Sequence, residues 1–260
     1  MMNRVVFIIL ALFSTSLFAS GGFTWLGPVA HALHIPEHIV TLAVIALFLL
    51  VTGYLYRVKV SKLQNVVIPD EGFTLRNIYE AFGQFMYTQC KAVIGEKQGP
   101  KYFKFASFIF IIILLSNLIG LIPGFLPPTE NLNTTLALGA FTFVYYNLKG
   151  CKELGTINYL KHFAGPLWYM AILIFPIEII SNCIRPISLA LRLRGNMYGD
   201  HLVLGIFSGM VPALIPIVFM ILGLLVCFIQ AYVFTILTMV YIALATAHHD
   251  HGDHEAHAHH

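Results

Sequence analysis

Charged residues are scarce in this sequence. Only 10% of its 260 residues are charged and 58% are hydrophobic, whereas about a quarter of the residues in an average soluble protein are charged. This shortage excludes an ordinary soluble domain and predicts an integral membrane protein. The apolar runs have the length of helices and do not alternate over ten-residue segments, so we expect an all-α, polytopic membrane fold rather than a barrel.

Motifs of soluble chemistry are missing as well. The four cysteines form no CxxC pair and no metal-ligand spacing, which favours apolar packing over a disulfide framework or a metal site. No GxxxxGK[ST] loop is present, so we expect the chain itself neither to make nor to hydrolyse ATP, and we expect no cofactor. A net charge of +3 does not indicate a nucleic-acid partner.

The first 19 residues have the layout of a secretory signal peptide. A basic start at Arg4 precedes the apolar core VVFIILALF and the small-residue end LFAS. We favour cleavage after Ala19 over a retained anchor. Cleavage would leave the mature N-terminus outside. Residues 20–247 are then predicted to form a single membrane domain.

Two histidine-rich segments invite a metal hypothesis. His31, His34 and His38 are interrupted by Pro36, which favours a short interfacial connector with solvated histidines. The tail, residues 248–260, holds seven of the twelve histidines together with three acidic residues and could chelate a metal. Because it lacks apolar periodicity, we favour a solvated cytoplasmic tail, and no metal site is predicted in either segment.

Apolar segments predict five membrane spans and one surface helix. Residues 73–94 carry apolar side chains at three-and-four spacing, which is typical of an amphipathic helix on the membrane surface. Lysine and arginine are frequent in the two loops assigned to the cytoplasm, with eight and three residues, and absent from the outer loop, so the C-terminus is predicted to be cytoplasmic. The spans are residues 39–56, 103–122, 136–148, 166–208 and 213–245.

The last two spans are too long to cross a membrane upright. Residues 166–208 would form a helix of about 65 Å at 1.5 Å per residue, whereas a bilayer core is about 30 Å thick. Either this segment is one strongly tilted helix, or it breaks near Pro186 into two shallow pieces. With residues 213–245 it would form a pair of long slanted helices.

Arg192 is the main candidate functional residue, because a charge at the bilayer centre costs about 2.5–3.5 kcal/mol on insertion scales. At 100° per residue, Arg185 shares the face of Arg192, with Ser188 and Asn196 close to it. Glu178 falls on the same side, His201 points roughly opposite, and Arg194 lies about 200° away. A second interpretation is that Glu178, Arg185, Arg194 and Asp200 only pair with one another and hold helices together. Gln230 is a further buried polar candidate in the last span, seven residues after Gly223.

Three segments resemble subunit a of the F-type ATP synthase membrane sector. SLALRLRGNMYGDH, which contains Arg192, is similar to the family's Ser-Leu-x-Leu-Arg-Leu-x-Gly-Asn segment. NLIGLIPG (residues 117–124) with LNTTLAL (residues 132–138) resembles its Asn-Leu-x-x-Leu-x-Pro and Asn-x-Thr-Leu signatures. FIQAYVFTILTMVYI (residues 228–242) resembles its last helix, and the resemblance covers residues 39–247.

The resemblance implies a role for each candidate residue. Arg192 matches the family's essential arginine, Asn196, Glu178 and Gln230 match polar positions along a proton path, and His201 stands where the family has Glu or His. Arg185, Ser188 and Asp200 are secondary candidates. Two positions depart from the family: Gly223 replaces the glutamate that often answers such a histidine, and Arg194 replaces an apolar residue.

The same resemblance implies partners and a location. The chain would be a proton-conducting stator subunit with two half-channels, beside a ring of small carboxylate-bearing c subunits and a peripheral-stalk b subunit, in the ATP synthase of a bacterial inner membrane. An alternative is a proton-coupled secondary transporter, but such folds usually show repeated, interrupted helices, and the 176–204 pattern does not recur. A membrane metalloenzyme would need clustered histidines at helical spacing near the membrane surface.

Overall fold

The computed structural model describes residues 24–61, 74–122, 124–155, 168–210 and 214–246. These residues form seven α-helices and two short 3₁₀ turns, with no strand among them. The signal-peptide prediction and the histidine-rich tail lie outside the described residues. The α-helices are α1 (Gly27–Leu33), α2 (Glu37–Ser61), α3 (Leu75–Ile94), α4 (Gly99–Leu118), α5 (Leu132–Leu154), α6 (Trp168–Met210) and α7 (Leu214–Thr246), and the 3₁₀ turns are Ile119–Leu121 and Pro128–Glu130.

Four of the described helical segments are long and apolar enough to cross a membrane: α2, α4 with the following 3₁₀ turn, α6 and α7. The prediction of an all-α, polytopic membrane fold is confirmed. The remaining predicted span, residues 136–148, corresponds to α5, which has 23 residues but carries several threonines and asparagines and has lysines near its end. By its composition α5 is a more polar helix than the other four.

Helix α6 is continuous over 43 residues, although Pro176 and Pro186 lie inside it. A proline has no N–H to donate to the carbonyl four residues before it, which leaves the carbonyl of Asn182 without its usual helical donor at Pro186. The hydroxyl of Tyr146 on α5 lies 3.5 Å from this carbonyl oxygen and donates to Oδ1 of Asn182 at 2.6 Å. The long-helix interpretation therefore holds, and α6 does not break near Pro186.

The core lies around α4, which packs against α3 and α7, while α5 packs against α6 and α7. Its largest fully buried side chains include several aromatic rings, and Phe82 and Phe228 add ring contacts to Phe110 from α3 and α7. These contacts hold α3, α4 and α7 together as one unit. The buried residues of this cluster include Tyr102, Ile109, Phe110, Ile113, Phe234, Met239 and Ile242.

Helix α3 is the amphipathic helix predicted between α2 and α4. Thr74 caps its first turn by accepting a hydrogen bond from the Asn77 N–H, and Met86 and Cys90 are buried against the core. Burial raises the pKa of the Cys90 thiol to about 11, so this thiol stays protonated and unreactive at neutral pH. The four cysteines are free thiols; Cys90 and Cys227 are buried, as the expected packing role requires, whereas Cys183 is exposed on α6.

One end of the bundle, called the loop end below, holds the start of α2, the end of α4 and both 3₁₀ turns. The predicted connector around His31 forms α1 here, and the Trp25 N–H donates to the carbonyl of Gly124. Thr24 donates to the Glu37 carboxylate at 2.8 Å, and His38 lies 3.2 Å from the Asn131 side-chain amide. The segment before α2 is thus tied to the loop that follows α4.

We expect Gly139→Ala to destabilise the packing of α5 on α6. A Cβ at this position would lie 2.7 Å from the carbonyl oxygen of Pro186, and this backbone atom cannot swing away as a flexible side chain would. Overpacking of this kind typically costs about 1–3 kcal/mol. Thermal denaturation of the purified protein in detergent should show the loss. The matched control is Gly53→Ala on α2, where an added Cβ meets nothing within 4 Å; equal melting temperatures for the two variants would contradict the expectation.

Candidate functional site

Arg192 lies on an exposed, mostly apolar face of α6, called the Arg192 face below. Arg192 is an exposed residue, and no ion pair joins it to any of the described residues. Ser188 and Gly195, which lie beside Arg192 on this face, are too small to cover its side chain. The exposed residues of the Arg192 face are Ile184, Ile187, Ser188, Leu191, Arg192, Gly195, Tyr198 and Leu202.

Asn196 links the edge of the Arg192 face to α7. Its side-chain amide donates to Oε1 of Gln230 at 2.6 Å, and the Gln230 side chain is buried, with 5% of its surface exposed. Asn196 is one helical turn from Arg192 on nearly the same side of α6. The structure thus brings together Asn196 and Gln230, two residues that the sequence analysis singled out on separate helices.

Asp200 enters a narrow polar cleft between α4, α6 and α7. The cleft is lined by Asn117, Asn196 and Gln230 together with apolar residues of α6 and α7. Oδ2 of Asp200 is buried without a hydrogen-bond partner among the described residues. On the side of the loop end, Asn117 accepts a hydrogen bond from the buried hydroxyl of Thr129 at 2.8 Å. Polar groups therefore lead from the Asn196–Gln230 pair, where Asn196 is still exposed, to the buried Asn117 and Thr129 at the loop end.

His201 faces the loop end of the bundle and not the Arg192 face. Its Nε2 lies 3.1 Å from the carbonyl oxygen of Gly120, and its Nδ1 lies 3.5 Å from Oε2 of Glu130. Nine residues separate His201 from Arg192, or about 13.5 Å along the helix axis. The opposite directions expected for these two side chains from the helical count agree with these contacts.

Glu130 is a site residue that the sequence analysis missed. It lies in the second 3₁₀ turn, where no helical periodicity reveals which side a residue faces. One signal was available: Glu130 is the only charged residue between Lys104 and Lys149. A lone carboxylate beside a predicted membrane span is a candidate for function on the same grounds as Arg192.

Gly223, one of the two positions that depart from the family pattern, lies where α7 comes close to Leu121. A Cβ at Gly223 would lie 2.9 Å from Cδ2 of Leu121, because α7 approaches the first 3₁₀ turn closely at this point. A side chain at position 223 would need the flexible end of Leu121 to change its rotamer. The carboxylate that faces His201 comes from the loop, through Glu130, and not from α7, whose sequence holds no acidic residue. Arg194 is exposed, and nothing in the structure explains its presence.

A second polar group occupies α6 on the other side of Arg192. Nη2 of Arg185 lies 3.6 Å from Oε1 of Glu178, which is the ion pair weighed in the sequence analysis, and Arg185 also lies over the Tyr241 ring at 5.3 Å. Asn182 donates to Oδ1 of Asn147 at 3.2 Å. Glu178 is about 21 Å from Arg192 along the axis at 1.5 Å per residue, so these residues are not in contact with Arg192.

The sites considered for metal binding contain no suitable cluster in the part of the chain that the structure describes. No group of three His, Cys, Asp or Glu side chains there could hold a metal ion. The site is instead built from one uncompensated cation, an amide pair, a buried carboxylate and a histidine opposite a glutamate.

Comparisons with known proteins single out one family. The sequence model of the family described as "ATP synthase A chain" matches residues 38–243. The ATP synthase subunit a of Bdellovibrio bacteriovorus is 44% identical over 226 residues, which cover 87% of this chain and 98% of that protein. The ATP synthase subunit a of Sorangium cellulosum is 41% identical over 211 residues, covering 81% of this chain and 82% of the relative. ATP synthase subunit a 1 of Syntrophotalea carbinolica is 54% identical over 151 residues, or 57% of this chain and 64% of the relative.

Proposed function

This chain belongs to the ATP synthase subunit a family, and from that premise we propose that it is the proton-conducting stator subunit beside a rotating ring of carboxylate-bearing subunits. The resemblance noted in the sequence is confirmed at the level of the family. The chain is a multi-pass protein of the bacterial inner membrane and a membrane-sector subunit of the ATP synthase complex. The half-channels, the role of Arg192 and the individual partners belong to the proposal.

The observation that carries the proposal is the bare charge of Arg192 on an apolar face. An isolated cation facing lipid near the bilayer centre is costly, and among the described residues no carboxylate pairs with it. Arginine cannot lose its proton to relieve this cost. The Arg192 face must therefore be covered by a partner that brings a carboxylate into the membrane, as the c-subunit ring would.

The carboxylate of such a partner would change protonation state as it moves. Facing lipid it is favoured as the neutral acid, because burial disfavours a charge, and within about 4–6 Å of Arg192 it is favoured ionised. Because the guanidinium stays charged, protons cannot pass through Arg192 itself. Each proton must then be delivered on one side of Arg192 and released on the other after the ring has turned.

Two groups of polar residues, one on each side of Arg192 along α6, suit the two half-channels. The Asn196–Gln230 pair, Asp200 and His201 lead towards the loop end, which we assign to the outside of the cell. Towards the other end lie the Asn182–Asn147 amides and the Glu178–Arg185 pair, on the side that we assign to the cytoplasm. Each charge that moves across 100 mV releases about 2.3 kcal/mol, so several protons would be needed for each ATP.

The remaining partners and the orientation follow from the same proposal. We infer that the chain contacts the c ring and the b subunit of the peripheral stalk, with the mature N-terminus outside and the C-terminus in the cytoplasm. It conducts protons and leaves ATP chemistry to other subunits, in keeping with the missing phosphate-binding loop. The alternative of a secondary transporter is not favoured, because the relatives are ATP synthase subunits.

Disulfide cross-linking tests the contact between the Arg192 face and the ring. We expect Leu191→Cys, in a Cys183→Ser background, to form a disulfide under mild oxidation with a cysteine placed beside the ring carboxylate. The native Cys183 is replaced because it is exposed on the same helix. The measurement is the cross-linked band on a non-reducing gel of membranes that contain the whole complex.

The matched control is Leu47→Cys in the same background. Leu47 is also an exposed leucine, but it lies on α2, which packs against α3 and α4. We expect no cross-link from this position. Cross-linking of equal yield from both positions, or none from Leu191→Cys, would contradict the proposed contact.

A further inference from the structure

We propose that Glu130 is the proton donor to His201 on the outer side. Protons would then reach Asp200 and the Asn196–Gln230 pair through a carboxylate of the loop between α4 and α5. This inference rests on the proposed function and adds a residue to the pathway. Glu130 was not a candidate in the sequence analysis.

The contacts of His201 set the direction in which the imidazole can exchange a proton. A carbonyl oxygen only accepts hydrogen bonds, so the 3.1 Å contact of Nε2 with the Gly120 carbonyl requires a proton on Nε2. Nδ1 is then the nitrogen free to take up or release a proton. Oε2 of Glu130 lies 3.5 Å from this Nδ1, so a small side-chain shift brings the two atoms within hydrogen-bond distance.

Glu130 and His201 share a partly open environment. Their side chains are 24% and 26% exposed, whereas Oε2 of Glu130 is itself buried and makes no hydrogen bond among the described residues. A carboxylate whose reactive oxygen points at an imidazole, with the rest of its side chain near the surface, suits proton transfer between solvent and the interior. The other charged or titratable groups nearby are Asp200, next to His201 on α6, and His38, which contacts Asn131.

The loop holds Glu130 in place on both sides. Thr129 donates its buried hydroxyl to Asn117 on α4, and the Asn131 side chain caps α5 by accepting from the Asn133 N–H at 2.9 Å. Pro127, directly before the turn, and Pro128, its first residue, restrict the backbone there. A carboxylate between two anchored residues is positioned more firmly than one on a free loop, as proton transfer requires.

The transfer step is balanced within the pair. The O–H bond at Oε2 of a protonated Glu130 breaks and an N–H bond forms at Nδ1 of neutral His201, which leaves a carboxylate beside an imidazolium. The imidazole then turns away from Glu130, the N–H bond at Nδ1 breaks, and an O–H bond forms at the carboxylate of Asp200, the next residue on α6, which leaves His201 neutral. Glu130 regains a proton from the outer water, and the pair returns to its starting state.

The test is the rate of ATP synthesis by the whole complex in proteoliposomes, measured at fixed driving force while the pH on the outer side is varied. Glu130→Gln keeps the shape of the side chain but cannot release a proton. We expect a fall of at least tenfold at outer pH 8, with partial recovery at outer pH 5.5, where protons are plentiful. A rate and pH profile equal to those of the unmodified complex would overturn the proposal, and so would an equal loss at every pH.

The matched control is Glu37→Gln, which removes a second carboxylate at the loop end. Glu37 accepts a hydrogen bond from Thr24 and is not in an ion pair with His201, so we expect an unchanged pH profile. If Glu130→Gln does not assemble, Glu130→Asp decides. Retained pH dependence at a reduced rate supports the proposal, and a flat profile overturns it.

Exchanging the two residues distinguishes a relay from a structural ion pair. We expect the double variant Glu130→His with His201→Glu to synthesise ATP faster than either single variant, and no gain over them counts against the relay. Arg192→Ala is run in the same assay. If Arg192→Ala retains coupled synthesis, the proposed function fails; if it abolishes synthesis while Glu130→Gln has no effect, only the present inference fails.

Discussion

Arg192→Ala is expected to abolish proton transport coupled to ATP while leaving the protein inserted and assembled. Arg192 is exposed on α6 and has no ion-pair partner among the described residues, so its removal breaks no ion pair among them. It does remove the fixed cation that would hold a ring carboxylate in its ionised form. ATP-driven proton pumping into inverted membrane vesicles, followed with a pH-sensitive dye, measures the loss.

Arg194→Ala is the matched control for this prediction. It removes the same charge from an exposed arginine two residues away, which points about 200° from Arg192. We expect pumping to persist in this control. Normal pumping in Arg192→Ala vesicles that contain assembled complex would refute the role given to Arg192, whereas loss of pumping in both variants would show a general need for positive charge on this helix.

His201→Ala is expected to slow proton uptake from the outer side by about 100-fold, the lower end of what a positioned proton-transfer group contributes, with a smaller effect on assembly. The imidazole lies between the Gly120 carbonyl and the Glu130 carboxylate. Alanine removes the group between Glu130 and Asp200 that could carry a proton from one carboxylate to the other. The measurement is proton flux at outer pH values from about 5 to 8, the range in which histidine side chains ordinarily change charge.

His38→Ala provides the comparison for His201→Ala. His38 also lies at the loop end and contacts a neutral side chain, Asn131, so its removal tests whether any histidine there affects the flux. We expect the flux of the His38 variant to stay close to normal. A flux from His201→Ala that is unchanged across the whole pH range would count against its place in the pathway.

The helices were predictable because the membrane imposes its own length on apolar segments. The segments expected at residues 39–56, 73–94 and 103–122 appear as α2, α3 and α4 with shifted ends. The path of residues 166–208 was not decided by the sequence, since a proline inside a helix can either break it or be tolerated when another group satisfies the freed carbonyl. Here the Tyr146 hydroxyl lies at that carbonyl, and only the packing of α5 on α6 could reveal it.

The arrangement of the site residues could be predicted from the sequence where these residues lie on one helix. Counting along α6 placed Arg192, Asn196 and His201 on their respective faces, since the geometry of a helix fixes directions within it. It could not give the Asn196–Gln230 hydrogen bond, because this bond depends on how α6 and α7 are aligned. Glu130 was missed because its position depends on the fold of a turn, which carries no helical periodicity.

The unbroken course of α6 has a mechanical consequence under the proposed function. A ring that is driven past Arg192 pushes sideways on the helix that carries it, and a helix broken near Pro186 would bend under this load. A single 43-residue rod is stiffer, and it is braced against α5 where Gly139 admits the Pro186 carbonyl and against α7 where Asn196 meets Gln230. Helix α6 thus supplies the rigidity against which torque can act, as well as the charge.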